Sequence, residues 1–410
     1  MKYNIYVLTE RNWTIMKKDL VSVLMVNYNH ADTIEKSIRS VLEQTYSKLQ
    51  LIIVDDGSTD NSVEIINSID DPRIELYEEK ENKQICMVTN FGMEKVKGEY
   101  FARIDSDDIW KNDKLQTQID FLENNNEFKI CFTHVDIIDE EDRIIDSELE
   151  RLYAVKYEKQ EEWLETFFFL GNCLPMSSVL MKTEIMRTIG KFNVCYRQLH
   201  DFDYWIRIAK IWPMAIIKKK LVQMRRYSDN TNNSNTGDIN AIRTGNEYFD
   251  IRKHFFDNMS EELFKRTFKK YFKNENSSTK EELNCEKAFL LCSPCNPSNN
   301  ISSVGIEYFM ELLQEKRYIE LLENKFDFSI KDFYDLTGKE IYFDYVLEKQ
   351  LKEYQNECET LNRSCRNLND EKEKLFRKTK ELSNLVLEYK NSTSWKVTRP
   401  LRKISSCFRK

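Results

Sequence analysis

Pairs of acidic residues in this chain have the types and spacing that bind cations or move protons. Asp105 and Asp107 are separated by one residue, Asp55 and Asp56 are adjacent, and Asp201 lies much later. Two carboxylates spaced two apart on an extended turn can bind one divalent cation, and hard oxygen ligands favour Mg²⁺ or Mn²⁺. Several carboxylates brought to one place would repel one another unless a cation or a hydrogen-bond donor lay between them.

A metal ion held by such a pair keeps coordination positions open and can therefore do specific chemistry. It can bridge a diphosphate group and take up the negative charge that develops when that group leaves. The spacing alone is weak evidence, because an acidic chain contains it often by chance. Its place in the chain adds weight, since Asp105 directly follows the apolar run Tyr100–Ile104.

Short apolar runs alternate with amphipathic segments through the first part of the chain. Val21–Asn27, Leu51–Val54 and Tyr100–Ile104 are predicted strands. Between the first two, apolar residues recur at i, i+4, i+7 and i+8 from Ile34, which is typical of an amphipathic helix. A second predicted helix, over residues 85–96, leads into the third strand.

A strand, a helix and a strand within about 35 residues form a βαβ unit of a parallel sheet. The predicted fold class is therefore α/β, an open sheet flanked by helices. Ligands bind such sheets outside the carboxyl ends of the strands, where the strand order switches. The acidic groups fall at or near these ends, and we expect them to face one site.

These motifs, in this order, resemble a family 2 glycosyltransferase with the GT-A fold, a Rossmann-like open mixed sheet flanked by helices. The resemblance covers about residues 20–227, just over half of the chain. The segments that carry it are Val21–Asn29, Val54–Asp60 with its Asp-Asp-Gly-Ser, Asn90-Phe91-Gly92, Gly98-Glu99-Tyr100, Asp105-Ser106-Asp107-Asp108, Lys114-Leu115 with Gln118, and His200–Arg207.

The resemblance implies a role for each of five residues. Tyr28 would flank or stack on the nucleobase of the donor, and Asp56 would accept a hydrogen bond from the base edge. Asp105 would lie near the ribose and the metal, and Asp107 would be the principal ligand of Mn²⁺ or Mg²⁺. Asp201 would be the general base that takes the proton from the acceptor hydroxyl, as an inverting transfer requires.

Structural alternatives stand beside these roles. Tyr28 could be a packed aromatic residue, and Asp56 could only cap the turn at Gly57. Asp203, two residues after the expected base, is expected to be a helix N-cap or a structural partner of Arg207, and a catalytic role is the alternative.

The chain also departs from the family pattern at three positions. Family members often carry Glu immediately before the base, where this chain has His200. Tyr227 occupies the place of a His that can complete the metal site, and Met176 lies close to the place of another frequent His. These departures predict an atypical metal affinity or an atypical handling of the donor.

Four regions differ in composition. We expect a GT-A domain at 1–240, a helical region without readable chemistry at 241–345, a coiled coil at 346–390 and a basic aromatic tail at 391–410. Apolar residues recur every seven positions from Tyr354 to Tyr389, with a mixed series from Leu351 to Val386. Sustained heptads favour a coiled coil and a homo-oligomer, and the alternative is a long solvated helix that folds back on the body.

The tail has two interpretations. Residues 394–410 contain six Lys or Arg and no acid, with aromatic and aliphatic residues between them. Such a segment suits contact with an anionic membrane surface, and the alternative is a solvated terminus. The stretch from Ser392 to Arg402 also resembles a segment that closes bacterial polysaccharide glycosyltransferases after a coiled coil.

Composition limits the function classes. The net charge of −7 argues against a nucleic-acid partner for the whole protein. Apolar runs are far shorter than the roughly 20 residues of a membrane span, and the ten Cys are scattered. We therefore expect a cytoplasmic protein, with peripheral contact on the inner face of the cell membrane as a further expectation.

The predicted function is that of an enzyme, an inverting metal-dependent glycosyltransferase of cell-surface polysaccharide synthesis. Its partners would be a nucleotide-diphosphate sugar, with a UDP-sugar expected, and a hydroxyl of a growing or lipid-linked glycan. The alternative is a catalytically silent scaffold that organises a glycan-synthesis complex at the membrane. A nucleotidyltransferase is disfavoured, because the Asp201 block has no use there and a basic Gly-rich phosphate loop is missing.

Overall fold

A computed structural model describes residues 16–157, 159–227, 238–294, 303–339, 345–398 and 402. The chain divides into two compact units, residues 1–343 and residues 344–410. Each unit is described by itself below.

Eight strands of the described residues form one mixed sheet in the order β3-β2-β1-β4-β7-β6-β8-β5. The first four of these run parallel, β7 is antiparallel to β4 and β6, and β8 is parallel to β6. β2 is buried along its whole length, as a central parallel strand requires. The strands are β1 (Lys17–Asn27), β2 (Leu49–Asp55), β3 (Ile74–Glu78), β4 (Gly98–Asp105), β5 (Ile109–Trp110), β6 (Ile130–Ile138), β7 (Leu180–Lys182) and β8 (Ala215–Arg225).

Helices cover both faces of this sheet. Residues of α1 and α4 belong to the apolar cluster on one face, and residues of α3, α6, α7 and α8 belong to the cluster on the other. The open mixed sheet between helices confirms the predicted fold class. The helices are α1 (Ile34–Leu42), α2 (Ser62–Asn67), α3 (Ile85–Met93), α4 (Lys114–Asn124), α5 (Glu148–Tyr153), α6 (Gln160–Phe169), α7 (Glu184–Ile189) and α8 (His200–Ala209).

The order of the strands reverses at β1, since β2 lies on one side of it and β4 on the other. The register aligns Asn27 with Asp55 and Val26 with Asp105. The carboxyl ends of three neighbouring strands therefore meet at one edge of the sheet. This is the switch point at which open α/β sheets bind ligands.

Helices continue after the sheet. Phe168 of α6 packs against Phe255, Phe256 and Phe268, with ring centroids 5.0–5.3 Å apart, so the first of these helices share a core with the sheet. A separate apolar cluster forms around Phe309. The helices are α9 (Asp238–Lys253), α10 (Glu261–Phe268), α11 (Lys280–Leu291), α12 (Ser303–Leu312), α13 (Lys316–Phe326) and α14 (Ile330–Thr337).

The second unit is built on one helix, α15 (Tyr345–Asn391), which is 47 residues long. Its apolar heptad positions are open to solvent: Leu361, Leu368 and Leu375 are 63%, 64% and 66% exposed. The helix agrees with the heptad pattern, but the coiled coil stays a prediction because it needs a partner helix.

After α15, the Trp395 ring lies against Tyr389 with centroids 4.9 Å apart, and the guanidinium of Arg402 lies 3.4 Å from the centre of the same ring. The rest of the predicted basic tail, residues 399–401 and 403–410, lies outside the described residues.

Candidate active site

The turn after β2 is fixed by Asp55. Its buried carboxylate accepts hydrogen bonds from the Asn27 side-chain amide at 2.8 Å and from the Ser58 backbone and hydroxyl at 2.8 and 2.7 Å. These bonds tie the end of β1 to the end of β2. Asp55 is therefore occupied in shaping the turn.

The neighbouring Asp56 faces the loop between β3 and α3. Its two carboxylate oxygens accept from the backbone N–H groups of Lys83 at 2.6 Å and Gln84 at 3.0 Å. Burial raises the pKa of the Asp56 carboxyl group, and the two backbone N–H groups oppose that shift. Asp56, the residue predicted to contact the nucleobase of the donor, is thus bonded to the backbone of this loop.

Gly57 allows that close approach. Its φ is +74°, and a Cβ at this position would lie 2.8 Å from the backbone carbonyl carbon of Glu81. A side chain would be strained by the left-handed backbone and would push the loop away from Asp56.

The predicted base-stacking residue, Tyr28, immediately follows β1 and is 43% exposed. Asn29 beside it has a φ of 58°, and its side-chain oxygen accepts from the Thr59 backbone N–H at 2.7 Å. An exposed aromatic ring on a turn fixed in this way can offer one face to a planar ligand.

The D-x-D turn, Asp105-Ser106-Asp107, begins at the last residue of β4. The Ser106 hydroxyl lies 2.7 Å from His30 Nδ1, and the Ser106 carbonyl accepts from the Ser37 hydroxyl at 2.8 Å. These contacts hold the middle of the turn against α1. Asp105 and Asp107 stand on either side of Ser106, and Asp105 is the more exposed of the two.

The carboxylates of this turn repel one another. Burial raises the pKa of Asp107, Asp105 raises it further, and His30 lowers it. Burial also raises the pKa of Asp108 well above its usual value, and Asp107 and Asp105 add to the shift. A cation would relieve this repulsion. In the part of the chain that the structure describes, no three His, Cys, Asp or Glu side chains form a group able to hold a metal.

Arg225 fixes the far side of the turn. Its backbone N–H donates to the Asp108 carboxylate at 2.9 Å, and its Nε donates to the Asp107 carbonyl at 3.0 Å. Its two terminal nitrogens donate to the Asp139 carbonyl at 2.6 Å and to the Asp142 carboxylate at 2.5 Å. The side chain is buried, so these bonds are shielded from water.

Asp201, the predicted base, is the second residue of α8. The start of a helix therefore positions Asp201, whereas Asp55 and Asp105 are the last residues of strands. Its carboxylate accepts from the Asn172 side-chain amide at 2.9 Å. Burial raises the pKa of Asp201, while His200 and Arg103 lower it. A carboxylate with a raised pKa is a better proton acceptor than an ordinary surface Asp.

Arg103 connects the two ends of the site. Its buried guanidinium lies 3.4 Å from the Asp105 carboxylate. It also acts electrostatically on Asp201 and on His200, whose pKa is lowered mainly by burial. Asp105 and Asp201, which are far apart in the sequence, are therefore both within the influence of one buried cation.

The three departures from the family pattern have definite places. Tyr227 hydrogen-bonds with Thr33 and lies within the field of Asp107; burial raises its pKa to about 12. Met176 is buried, and the His200 ring lies 3.0 Å from the Arg197 carbonyl.

The expected partnership of Asp203 with Arg207 is confirmed, because the Asp203 carboxylate accepts from Arg207 Nε at 2.9 Å. The expectation of an N-cap at Asp203 is wrong, because Leu199 is the N-cap of α8.

Comparison with known proteins agrees with this description. Residues 22–184 match the model of glycosyl transferase family 2. An uncharacterized glycosyltransferase of Haemophilus influenzae is 30% identical over 244 residues, which cover 58% of this chain and 91% of the relative. The Escherichia coli UDP-Glc:alpha-D-GlcNAc-diphosphoundecaprenol beta-1,3-glucosyltransferase WfaP is 31% identical over 192 residues, 46% of this chain and 70% of WfaP.

Among solved structures, residues 1–349 of Staphylococcus aureus TarS with UDP-GlcNAc align with a TM-score of 0.49 at 12% identity. That alignment covers 79% of this chain and 93% of the TarS fragment.

The chain belongs to glycosyl transferase family 2, and it is a glycosyltransferase. This family assignment confirms the resemblance drawn from the motifs. Within the ranges that the structure describes, no helix has the length and apolar character needed to cross a membrane.

Proposed function

We propose that this protein transfers a sugar from a nucleotide-diphosphate sugar, with UDP as the nucleotide, to a hydroxyl of a growing lipid-linked glycan in cell-surface polysaccharide synthesis. One observation carries the proposal: the ends of β1, β2 and β4, with Tyr28, Asp56 and Asp105, meet at the switch point of the sheet. The name of WfaP, which includes a UDP-sugar and a diphosphoundecaprenol-linked acceptor, supports the choice of donor and acceptor.

In this proposal Tyr28 stacks on the base and Asp56 accepts from its edge. The exposure of the Tyr28 ring supports the first role. The second role asks Asp56 to accept one more hydrogen bond beside its two backbone donors, which a carboxylate with four lone-pair sites allows.

Asp105 and Asp107 would hold Mn²⁺ or Mg²⁺. Such a cation is commonly bound by one or two carboxylates, with water and substrate phosphates completing its shell. The mutual repulsion of the carboxylates in this turn supports the fit. When bound, the cation would neutralise charge on the leaving diphosphate.

Asp201 would take the proton from the acceptor hydroxyl. Asn172 orients its carboxylate, and burial raises its pKa towards the value of a useful base. A base on the side opposite the leaving group would give inversion at the transferred carbon.

The alternative is a catalytically silent scaffold. It is favoured by Tyr227, which stands beside Asp107 in place of an expected His. In either case, α15 would pair with α15 of a second copy, because its exposed apolar residues repeat every seven positions. The basic tail would then bring a cytoplasmic protein to the inner face of the membrane.

A thermal-shift panel tests the donor site. UDP-glucose, UDP-GlcNAc and other nucleotide sugars would be added with Mn²⁺, with Mg²⁺ and with a chelator. A donor at one hundred times its dissociation constant adds about 2.7 kcal/mol of apparent stability. Metal-dependent stabilisation by one nucleotide series supports the enzyme, and a folded protein that responds to none of them supports the scaffold.

A further inference from the structure

We propose that Glu247 is a positioning residue for Asp201: it fixes the start of the helix that carries the base. The inference rests on the proposed role of Asp201. Glu247 belongs to α9, in a region where the sequence offered no chemical motif.

Three hydrogen bonds carry the inference. The buried carboxylate of Glu247 accepts from the backbone N–H groups of Arg197, Gln198 and Leu199, each at 2.8 Å. Three successive backbone N–H groups turned towards one anion form a nest, which binds negative charge well.

These bonds act at the start of α8. Leu199 is the N-cap of that helix, and Asp201 is its second residue. The backbone over residues 197–199 therefore sets where the Asp201 side chain begins. A carboxylate at this end of a helix is also favoured by the helix dipole.

Two more side chains of α9 hold the same loop. Asn240 accepts from the Gln198 side chain at 3.1 Å, and Asp250 accepts from the Tyr196 hydroxyl at 2.6 Å. From the sheet domain, Asn90 of α3 exchanges two hydrogen bonds with the backbone of Phe192. Side chains of α9 and of α3 thus both hold the loop that precedes Asp201, and Glu247 binds the part of that loop nearest to Asp201.

The test is Glu247→Gln. Gln keeps the size of the side chain, but only one of its two polar end atoms can accept, so one backbone N–H or more loses its partner. The matched control is Glu286→Gln. Glu286 lies on α11, is also buried and accepts from two successive backbone N–H groups, Lys273 at 2.8 Å and Asn274 at 2.9 Å, neither of which belongs to the candidate site.

The assay is UDP release from UDP-glucose with Mn²⁺ and GlcNAc-diphosphoundecaprenol. We expect Glu247→Gln to lower kcat by about 10- to 100-fold, because a displaced catalytic group costs this much. The KM for UDP-glucose should stay within about twofold, since the donor contacts lie on other loops. Glu286→Gln should change neither constant, although it removes a similar set of bonds. Equal kcat values for the two variants would overturn the inference.

Two further measurements separate this inference from the proposed function. Full turnover by Asp201→Asn would refute the role of Asp201 as the base. Amide hydrogen exchange would then still test whether Glu247 fixes the backbone at the start of α8. In that experiment, Glu247→Gln should speed exchange over residues 197–205 relative to both wild type and Glu286→Gln. Unchanged exchange there would refute the positioning role, whatever the activity shows.

Discussion

Replacing Arg225 with Lys is the sharpest test of how the D-x-D turn is held. Three different nitrogens of the guanidinium donate to the Asp107 carbonyl, to the Asp139 carbonyl and to the Asp142 carboxylate. A Lys ammonium keeps the charge but has one nitrogen, so it cannot make these contacts together. We expect the ion pair with Asp142 to survive and the contacts with the backbone carbonyls of Asp107, Asp139 and Glu140 to be lost.

The size of the effect follows from these bonds. Hydrogen bonds that involve a charged group contribute about 1.5–3 kcal/mol each, and their losses are not fully additive. Because the charge stays paired, the larger penalty for an unpaired buried ion does not apply. The free energy of unfolding should therefore fall by about 2–4 kcal/mol.

Urea unfolding at constant slope measures this loss. The control is Arg39→Lys, because Arg39 pairs with Glu35 on the surface and its side chain is 55% exposed. That variant should lose less than about 1 kcal/mol. If Arg225→Lys lost no more than the control, the fixing role of Arg225 would be wrong.

Four other predictions follow from the same structure. Because burial raises the pKa of Asp201, kcat/KM should fall as the pH drops through a value above the usual Asp pKa of about 3.9. A fall in kcat/KM that begins only at or below that usual value would contradict the role of Asp201 as the base. Asp107→Asn should raise the melting temperature of the metal-free protein at pH 7, because the folded protein disfavours the ionised Asp107 carboxylate. This gain should shrink as the pH falls and the carboxylate becomes protonated, and Mn²⁺ should no longer stabilise the variant. Gly57→Ala should lower the free energy of unfolding by about 2–4 kcal/mol and weaken the binding of UDP. The control is Gly245→Ala, which should leave the free energy of unfolding unchanged or raise it, because a Cβ there meets nothing within 4 Å. Leu368→Glu should lower the mass measured by light scattering if α15 pairs with a second copy; equal masses for variant and wild type would count against pairing.

Much of the sheet could be predicted because its signals are local. The apolar run at Val21–Asn27 forms the carboxyl-terminal part of β1, and the acidic residues after Val54 and Ile104 lie at the ends of β2 and β4. Short apolar runs separated by one amphipathic helix leave few topologies open. The strands are longer than predicted, because polar residues at their ends also pair in the sheet.

The supports of the site could not be predicted in this way. Arg225 meets the D-x-D turn across more than 100 residues, and Glu247 meets the loop before Asp201 across about 50. Such contacts leave no spacing pattern in a single sequence, since they depend on how distant elements pack. The role of Asp201 as a general base was inferred only through the resemblance, because an acidic residue alone does not identify a base.

Transfer of a sugar to a lipid-linked glycan from the UDP-sugar that stabilises the protein most in the thermal-shift panel, followed by mass spectrometry of the lipid product, tests the central claim most directly. Wild-type protein with Mn²⁺ should add one sugar, while Asp107→Asn and Asp201→Asn, both folded, should add none. Product formation by either variant at the wild-type rate would contradict the site described above.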